Sequence, residues 1–133
     1  SKMDPDGKDR KNLVNVKVAF LRRLGYDNVE EWLDGPDNVY IGRQARINVN
    51  GKYIGIKKSI WSNNFSIKDY GRDRAIAKYK RHITQKLRED PVLRAEFMKL
   101  KGKCLGCWCY PEPCHGDILL DLLEAGETVG NNV

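Results

Sequence analysis

Residues 102–117 read GKCLGCWCYPEPCHGD, which places all four cysteines of the chain and one of its two histidines in a single short window. Thiolates and imidazoles bind zinc tetrahedrally, and Cys107, Cys109, Cys114 and His115 would supply a Cys3His set. The same groups can do covalent chemistry. Cys114 stands where a helix is expected to begin, a position whose free N–H groups and dipole favour a thiolate, and His115 beside it could serve as acid or base. A third reading is structural: small buried thiols beside a histidine at a helix end.

The elements around the cluster decide what can converge. CLGCWC reads as a short strand, in which side chains alternate, so Cys107 and Cys109 share one face while Cys104 and Trp108 take the other. YPEP must be a loop, and it returns the chain so that Cys114 and His115 approach the strand. The run GDILLDLLEAG then reads as a helix burying Ile118, Leu119, Leu122 and Leu123, with Asp117 complementing its dipole and Gly126 ending it.

Upstream, NLVNVKVAFLRRLG (12–25) carries Leu13, Val16, Phe20 and Leu24 at helical spacing, with Gly25 as a stop. A short helix with Val29, Trp32 and Leu33 follows, capped by Asp27 or Asn28. NVYIGR (38–43) and RINVNGKYIGI (46–56) are β-rich, and Asn50-Gly51 is a strong hairpin signal. The stretch 71–90 predicts a long helix on Ile76, Tyr79, Ile83 and Leu87, with Arg74, Lys78, Arg81 and Arg88 on another face. Asp90-Pro91 starts a further helix through Leu93, Phe97 and Leu100 that ends near Gly102.

Charge is distributed unevenly. The net charge is +6, but residues 1–42 carry −1, residues 43–103 carry +12 and residues 104–133 carry −5. A basic middle of this kind is the electrostatic footprint of a nucleic-acid or polyphosphate binder, although lysines and arginines also solvate helix faces without any ligand. No apolar run reaches the roughly 20 residues of a membrane span, and the polar start SKMDPDGKDRKN has no apolar signal core, so an intracellular or virion location and reduced thiols are expected.

The succession NVYIGR, SIWSNNF, RDRAIAKY and LKGKCLGCWCYPEPCHGDILLDL resembles an uncharacterised domain-of-unknown-function family of phages and large DNA viruses. Its pattern reads YIGR, W-x-N-P-F, R-x2-A-I-x2-Y, L-x-G-K-x-L-x-C-W-C and C-H-G-D. The resemblance spans about residues 38–125. It matches Tyr40, Gly42, Arg43, Trp61, Asn63 and Phe65 in the first blocks, then Arg72 and Tyr79, and finally Cys107, Trp108 and Cys109 with the run from Cys114 to Asp117. Asn64 stands where the family has proline, a hairpin-length insertion surrounds Asn50-Gly51, and Cys104 lies outside the pattern. The resemblance implies a viral or phage origin and a site, but no reaction. Arg43, Asn63 and Arg72 would suit one pocket with the Cys/His block, and Trp61, Trp108, Tyr40 and Phe65 are core residues before they are stacking platforms.

The expected architecture is a single α/β domain over residues 12–126 (α+β is the alternative), a small mixed sheet flanked by four or five helices, with flexible ends at 1–11 and 127–133. The leading function is binding of nucleic acid or phosphorylated nucleotides through the basic middle, with Arg74, Lys78 and Arg81 on phosphates and a structural zinc on Cys107, Cys109, Cys114 and His115. The alternative is an enzyme acting on a nucleotide or modified base, with Cys114 as nucleophile or redox thiol, His115 as acid/base, and Arg43, Asn63 and Arg72 as ligand contacts. A virion structural or host-interaction module is the third class.

Overall fold

A computed structural model describes residues 12–130. The elements in chain order are β1 (Leu13–Asn15), α1 (Val18–Arg23), α2 (Val29–Leu33), β2 (Asn38–Tyr40), β3 (Ala45–Val49), β4 (Lys52–Ile56), α3 (Ile67–Tyr70), α4 (Arg72–Glu89), α5 (Pro91–Met98), β5 (Cys104–Cys107) and α6 (His115–Gly130). The result is a small mixed α/β fold in which the two kinds of pairing fall in separate sheets. The first sheet has the order β1-β5-β2 and is parallel throughout, with Leu105 of β5 level with Leu13 on one side and Val39 on the other. The second is the antiparallel hairpin β3-β4.

Strand alternation sorts β5 between two cores. Leu105 and Cys107 face a cluster built with Tyr79, Ile83, Phe97, Leu100, Leu119 and Leu123, so α4, α5 and α6 cover that side. Cys104 and Trp108 face the other cluster, which contains Leu21, Val29, Trp32 and Ile56 from α1, α2 and the hairpin. Gly106 lies on this second side directly over Trp32, where a Cβ would meet the indole at 2.3 Å.

Several elements follow from local chemistry. Asn28 caps α2 by accepting from the Glu31 N–H, and Asp90 caps α5 by accepting from Leu93 with Pro91 in the first turn. Such caps contribute about 1 kcal/mol each. Asn50 and Gly51 both take positive φ, 54° and 85°, as a two-residue hairpin turn requires.

Two expectations are corrected. Residues 12–25 do not form one helix: Leu13–Asn15 pair with β5, and only Val18–Arg23 are helical. Leu24 is 54% exposed, so the apolar spacing there does not mark one buried face. Gly126 does not stop α6, which runs on to Gly130, so residues 127–130 of the expected tail are helical. The expected flexible segment 1–11 lies outside the described residues, as do 131–133. The short α3 has too few residues for a periodic signal, and Ser66 caps it by accepting from the Asp69 N–H.

Candidate functional site

Because β1, β5 and β2 run parallel, the turns that leave them emerge on one edge of the sheet, the edge at which ligands bind in open α/β sheets. Asn15 ends β1 and Val16–Lys17 follow it, Ile41–Arg43 follow β2, and Trp108–Tyr110 follow β5. Most of the polar chemistry singled out in the sequence lies here.

Asn15 ties two of these turns together. It is 4% exposed, its amide donates to the carbonyls of Trp108 (3.2 Å) and Tyr110 (2.7 Å), and its oxygen accepts from the Lys17 N–H (2.9 Å). The third turn is joined by the Trp108 indole, which donates to the Tyr40 hydroxyl at 2.8 Å. Tyr40 in turn donates to the Arg43 carbonyl.

The cysteines divide. Cys107 at the end of β5 and Cys114 just before α6 are both buried, and their sulfurs lie 3.2 Å apart. The Gly116 N–H donates to the Cys114 sulfur, and the Cys114 N–H donates to the Asp117 carboxylate, so the start of α6 is closed on itself. The two sulfurs are hydrogen-bonded to each other. Hydrogen bonding from Cys114 holds Cys107 below the usual thiol range against the opposing effect of burial, with help from the N–H groups of Tyr110 and Cys109. Cys114 is pushed far up, first by its hydrogen bond with Cys107 and then by burial. Cys109 is half-buried against the same core, and Cys104 lies across the strand, as alternation requires.

His115 joins neither sulfur. Its Nε2 sits 2.7 Å from the Ile41 carbonyl, which can only accept, so that nitrogen carries the hydrogen. Its ring packs edge-on against Tyr79 with centroids 5.1 Å apart. Burial lowers its pKa below the ordinary histidine value; the Ile41 carbonyl opposes this and the charge of Arg43 adds to it. Tyr79, which donates to the Trp61 carbonyl at 2.7 Å, is pushed up by burial and by Cys114. Among the described residues no three His, Cys, Asp or Glu side chains converge as a metal shell would. A nucleophilic thiol needs exposure and a low pKa, and Cys114 has neither.

The matched arginines and asparagine act on main chain. Arg43 donates to the Asn63 carbonyl (2.8 Å), Asn63 donates to the Ala75 carbonyl (3.1 Å) and accepts from Phe65 N–H (2.8 Å), and Arg72 donates to the Pro113 carbonyl (2.9 Å). They fasten the segment before α3, and the loop before Cys114, to β2 and α4. No signal in the sequence distinguishes such fastening from ligand contact.

Arg74, Lys78 and Arg81 lie elsewhere, on the outer side of α4, whose buried side is Ala75, Tyr79 and Ile83. Aromatic rings are interleaved with them. Phe65 lies 5.9 Å from both Tyr70 and His82, the Lys78 ammonium sits 4.8 Å from the Tyr70 centroid and 5.8 Å from that of Phe65, and the Arg74 guanidinium is 5.8 Å from Tyr70. Beside this cluster, Lys80, Arg81, Thr84, Gln85 and Arg88 line a shallow groove along the helix. Tyr70 and His82 carry no signal in the sequence, since no periodicity joins them to Phe65.

Fold and site together define a small α/β domain with a polar carboxyl edge on its parallel sheet and a separate cationic, aromatic helix face. The chain belongs to the family described as domain of unknown function DUF4326, whose profile matches residues 26–125. Over 90 residues it is 34% identical to an uncharacterised 12.4 kDa protein of the nrdA-td intergenic region in Enterobacteria phage T4, covering 63% of this chain and 82% of that protein. An uncharacterised protein of Acanthamoeba polyphaga mimivirus is 35% identical over 96 residues, 65% of this chain and 67% of its own. No solved structure matches the chain. Among the described residues no helix is long and apolar enough to cross a membrane.

Proposed function

We propose that the protein binds single-stranded nucleic acid along the outer face of α3 and α4. The observation that carries this reading is the interleaving of Phe65, Tyr70 and His82 with Arg74 and Lys78. Rings that can stack on bases beside cations that can meet phosphates are the two components of sequence-tolerant strand binding. Length favours a strand over a single nucleotide. From Arg74 to Arg88 the helix rises about 21 Å at 1.5 Å per residue, long enough to follow several phosphates. The excess charge of the middle segment supplies the long-range attraction.

Fluorescence anisotropy of a labelled oligonucleotide, measured against salt concentration, tests the placement. Each cation withdrawn from a phosphate lowers the slope of log K against log salt by roughly 0.7–0.9. Changing Lys78→Gln and Arg81→Gln together is therefore expected to reduce it by about 1.5, and an unchanged slope would refute the reading.

A zinc ion is a separate addition to this proposal. Cys107 and Cys114 offer two adjacent sulfurs, and His115, with its Nε2 hydrogen held by a backbone carbonyl, keeps Nδ1 as a lone-pair nitrogen. A complete shell would require Cys109 and His115 to turn inward. One zinc per chain by mass spectrometry of reduced, dialysed protein, with thiols released only on chelation, is the outcome this addition requires; metal-free protein with the same thermal stability removes it.

A further inference from the structure

The strand-binding face leaves unexplained a cavity of about 500 Å³ on the opposite side of the parallel sheet, between α1 and the β3-β4 hairpin. We propose that this cavity is a binding site for a nucleoside 5′-monophosphate, distinct from the α3-α4 face.

Position is the first argument. The cavity opens where the chain leaves β1, at Val16 and Lys17, and where it leaves β5, at Trp108. This is the carboxyl edge of a parallel sheet, where the open ends of the strands leave a crevice. Its volume falls within the roughly 300–1,000 Å³ of small-molecule sites and is ample for one nucleotide.

Chemistry is the second. Val16, Val29 and Ile47 line the cavity with apolar surface, and Trp108 adds a ring to its wall. That wall is fixed in advance: the indole N–H is held by the Tyr40 hydroxyl and the Trp108 carbonyl by buried Asn15. A planar base can lie against such a surface with little cost in ordering it. Lys17 and Arg22 bring two cations to the same space, and both are exposed residues whose side chains do not support the core. Among the described residues the Arg22 side chain makes one long hydrogen bond, 3.4 Å, to the Asp27 carbonyl. A ligand with one aromatic end and one anionic end satisfies both halves. The amides of Asn48 and Asn50 can pair with the polar edge of a base, and the carboxylate of Asp27 can accept from a ribose hydroxyl.

Tryptophan fluorescence reads the site directly, because Trp32 and Trp61 are 1% and 4% exposed while Trp108 is half-buried at the cavity. Titration of the full chain with AMP, GMP, CMP and UMP is expected to give a saturable change with at least one of them, confirmed by calorimetry. Changing Lys17→Ala and Arg22→Ala together should weaken that binding at least tenfold, the scale of one or two charge-assisted hydrogen bonds. Trp108→Phe should abolish the optical signal while calorimetry still detects binding. Lys78→Gln with Arg81→Gln should leave the affinity unchanged. Absence of saturable binding up to about 5 mM of every nucleotide, a value well beyond the millimolar end of ordinary affinities, would overturn the proposal. So would indifference to the Lys17 and Arg22 changes in protein of unaltered thermal stability, or a loss caused instead by the α4 changes, which would assign the nucleotide to the helix face.

Discussion

Gly106→Val is expected to unfold the protein or lower its stability by about 3 kcal/mol or more, the upper range for overpacking a core. The reason lies in what the first added carbon meets. A Cβ at Gly106 would stand 2.3 Å and 2.8 Å from two indole carbons of Trp32 and 2.7 Å from a methyl of Val16. Neither neighbour can withdraw easily. Trp32 and Val16 are each 1% exposed, and the strand itself is held on both edges by parallel partners. Since domains of this size have about 5–15 kcal/mol in total, such a change removes a large part of it. Equilibrium unfolding in urea measures the effect, and Gly55→Ala is the control: its added Cβ meets nothing within 4 Å, so only a small change is expected there. A Gly106→Val protein within about 0.5 kcal/mol of the parent, the range of ordinary surface substitutions, would show that the indole is not seated against β5. Because Cys107 and Trp108 follow directly, any surviving fold should also lose the nucleotide-induced change in Trp108 fluorescence.

The sequence is most legible where structure is local. Asn50-Gly51 specifies its hairpin because left-handed backbone at both residues is a property of the turn itself. Asp90-Pro91 likewise announces the start of α5. Alternation separates Cys104 from Cys107 correctly, since the period of two holds in any strand. Long-range pairing is not legible. β1 is three residues long and is a strand only because Leu105, more than ninety positions away, lies level with Leu13. Its buried Asn15, a polar residue between two valines, is the one clue against a continuous helix over 12–25. Gly126 fails as a stop because a helical glycine costs only about 1 kcal/mol. The leucine face of α6, with Leu119 and Leu123 buried, outweighs that. At the site, the grouping of Cys107 with Cys114 is half readable from parity, but the turning of His115 to Ile41 instead depends on where β2 ends. The fastening roles of Arg43 and Arg72 are hidden because their partners are backbone carbonyls, which every residue has.

His115→Leu is expected to cost about 1–3 kcal/mol, because it deprives the buried Ile41 carbonyl of its donor and leaves that oxygen unsatisfied. His115→Gln, which keeps an N–H donor, should restore part of that loss. The pair separates packing from protonation, since neither replacement titrates. In the folded protein the histidine is held below its ordinary pKa of 6.5, so over the interval beneath 6.5 the unfolded chain binds the proton that the folded chain refuses. Stability contributed by the neutral ring is therefore fully present above pH 6.5 and declines as the pH falls toward the folded value. The groups around the ring do not reverse this sign: Arg43 is cationic throughout, Tyr79 stays neutral because its pKa is raised, and Cys114 keeps its proton. Urea unfolding at intervals from about pH 7.5 to 5.5, above the range in which ordinary carboxylates titrate, should show the parent level down to pH 6.5 and losing stability below it, while His115→Gln stays nearly level throughout. Parallel slopes for the two proteins would mean that His115 takes up its proton as readily in the fold as in the unfolded chain, and an imidazolium facing Arg43 would require a carboxylate or other anion at this edge of the sheet to hold it.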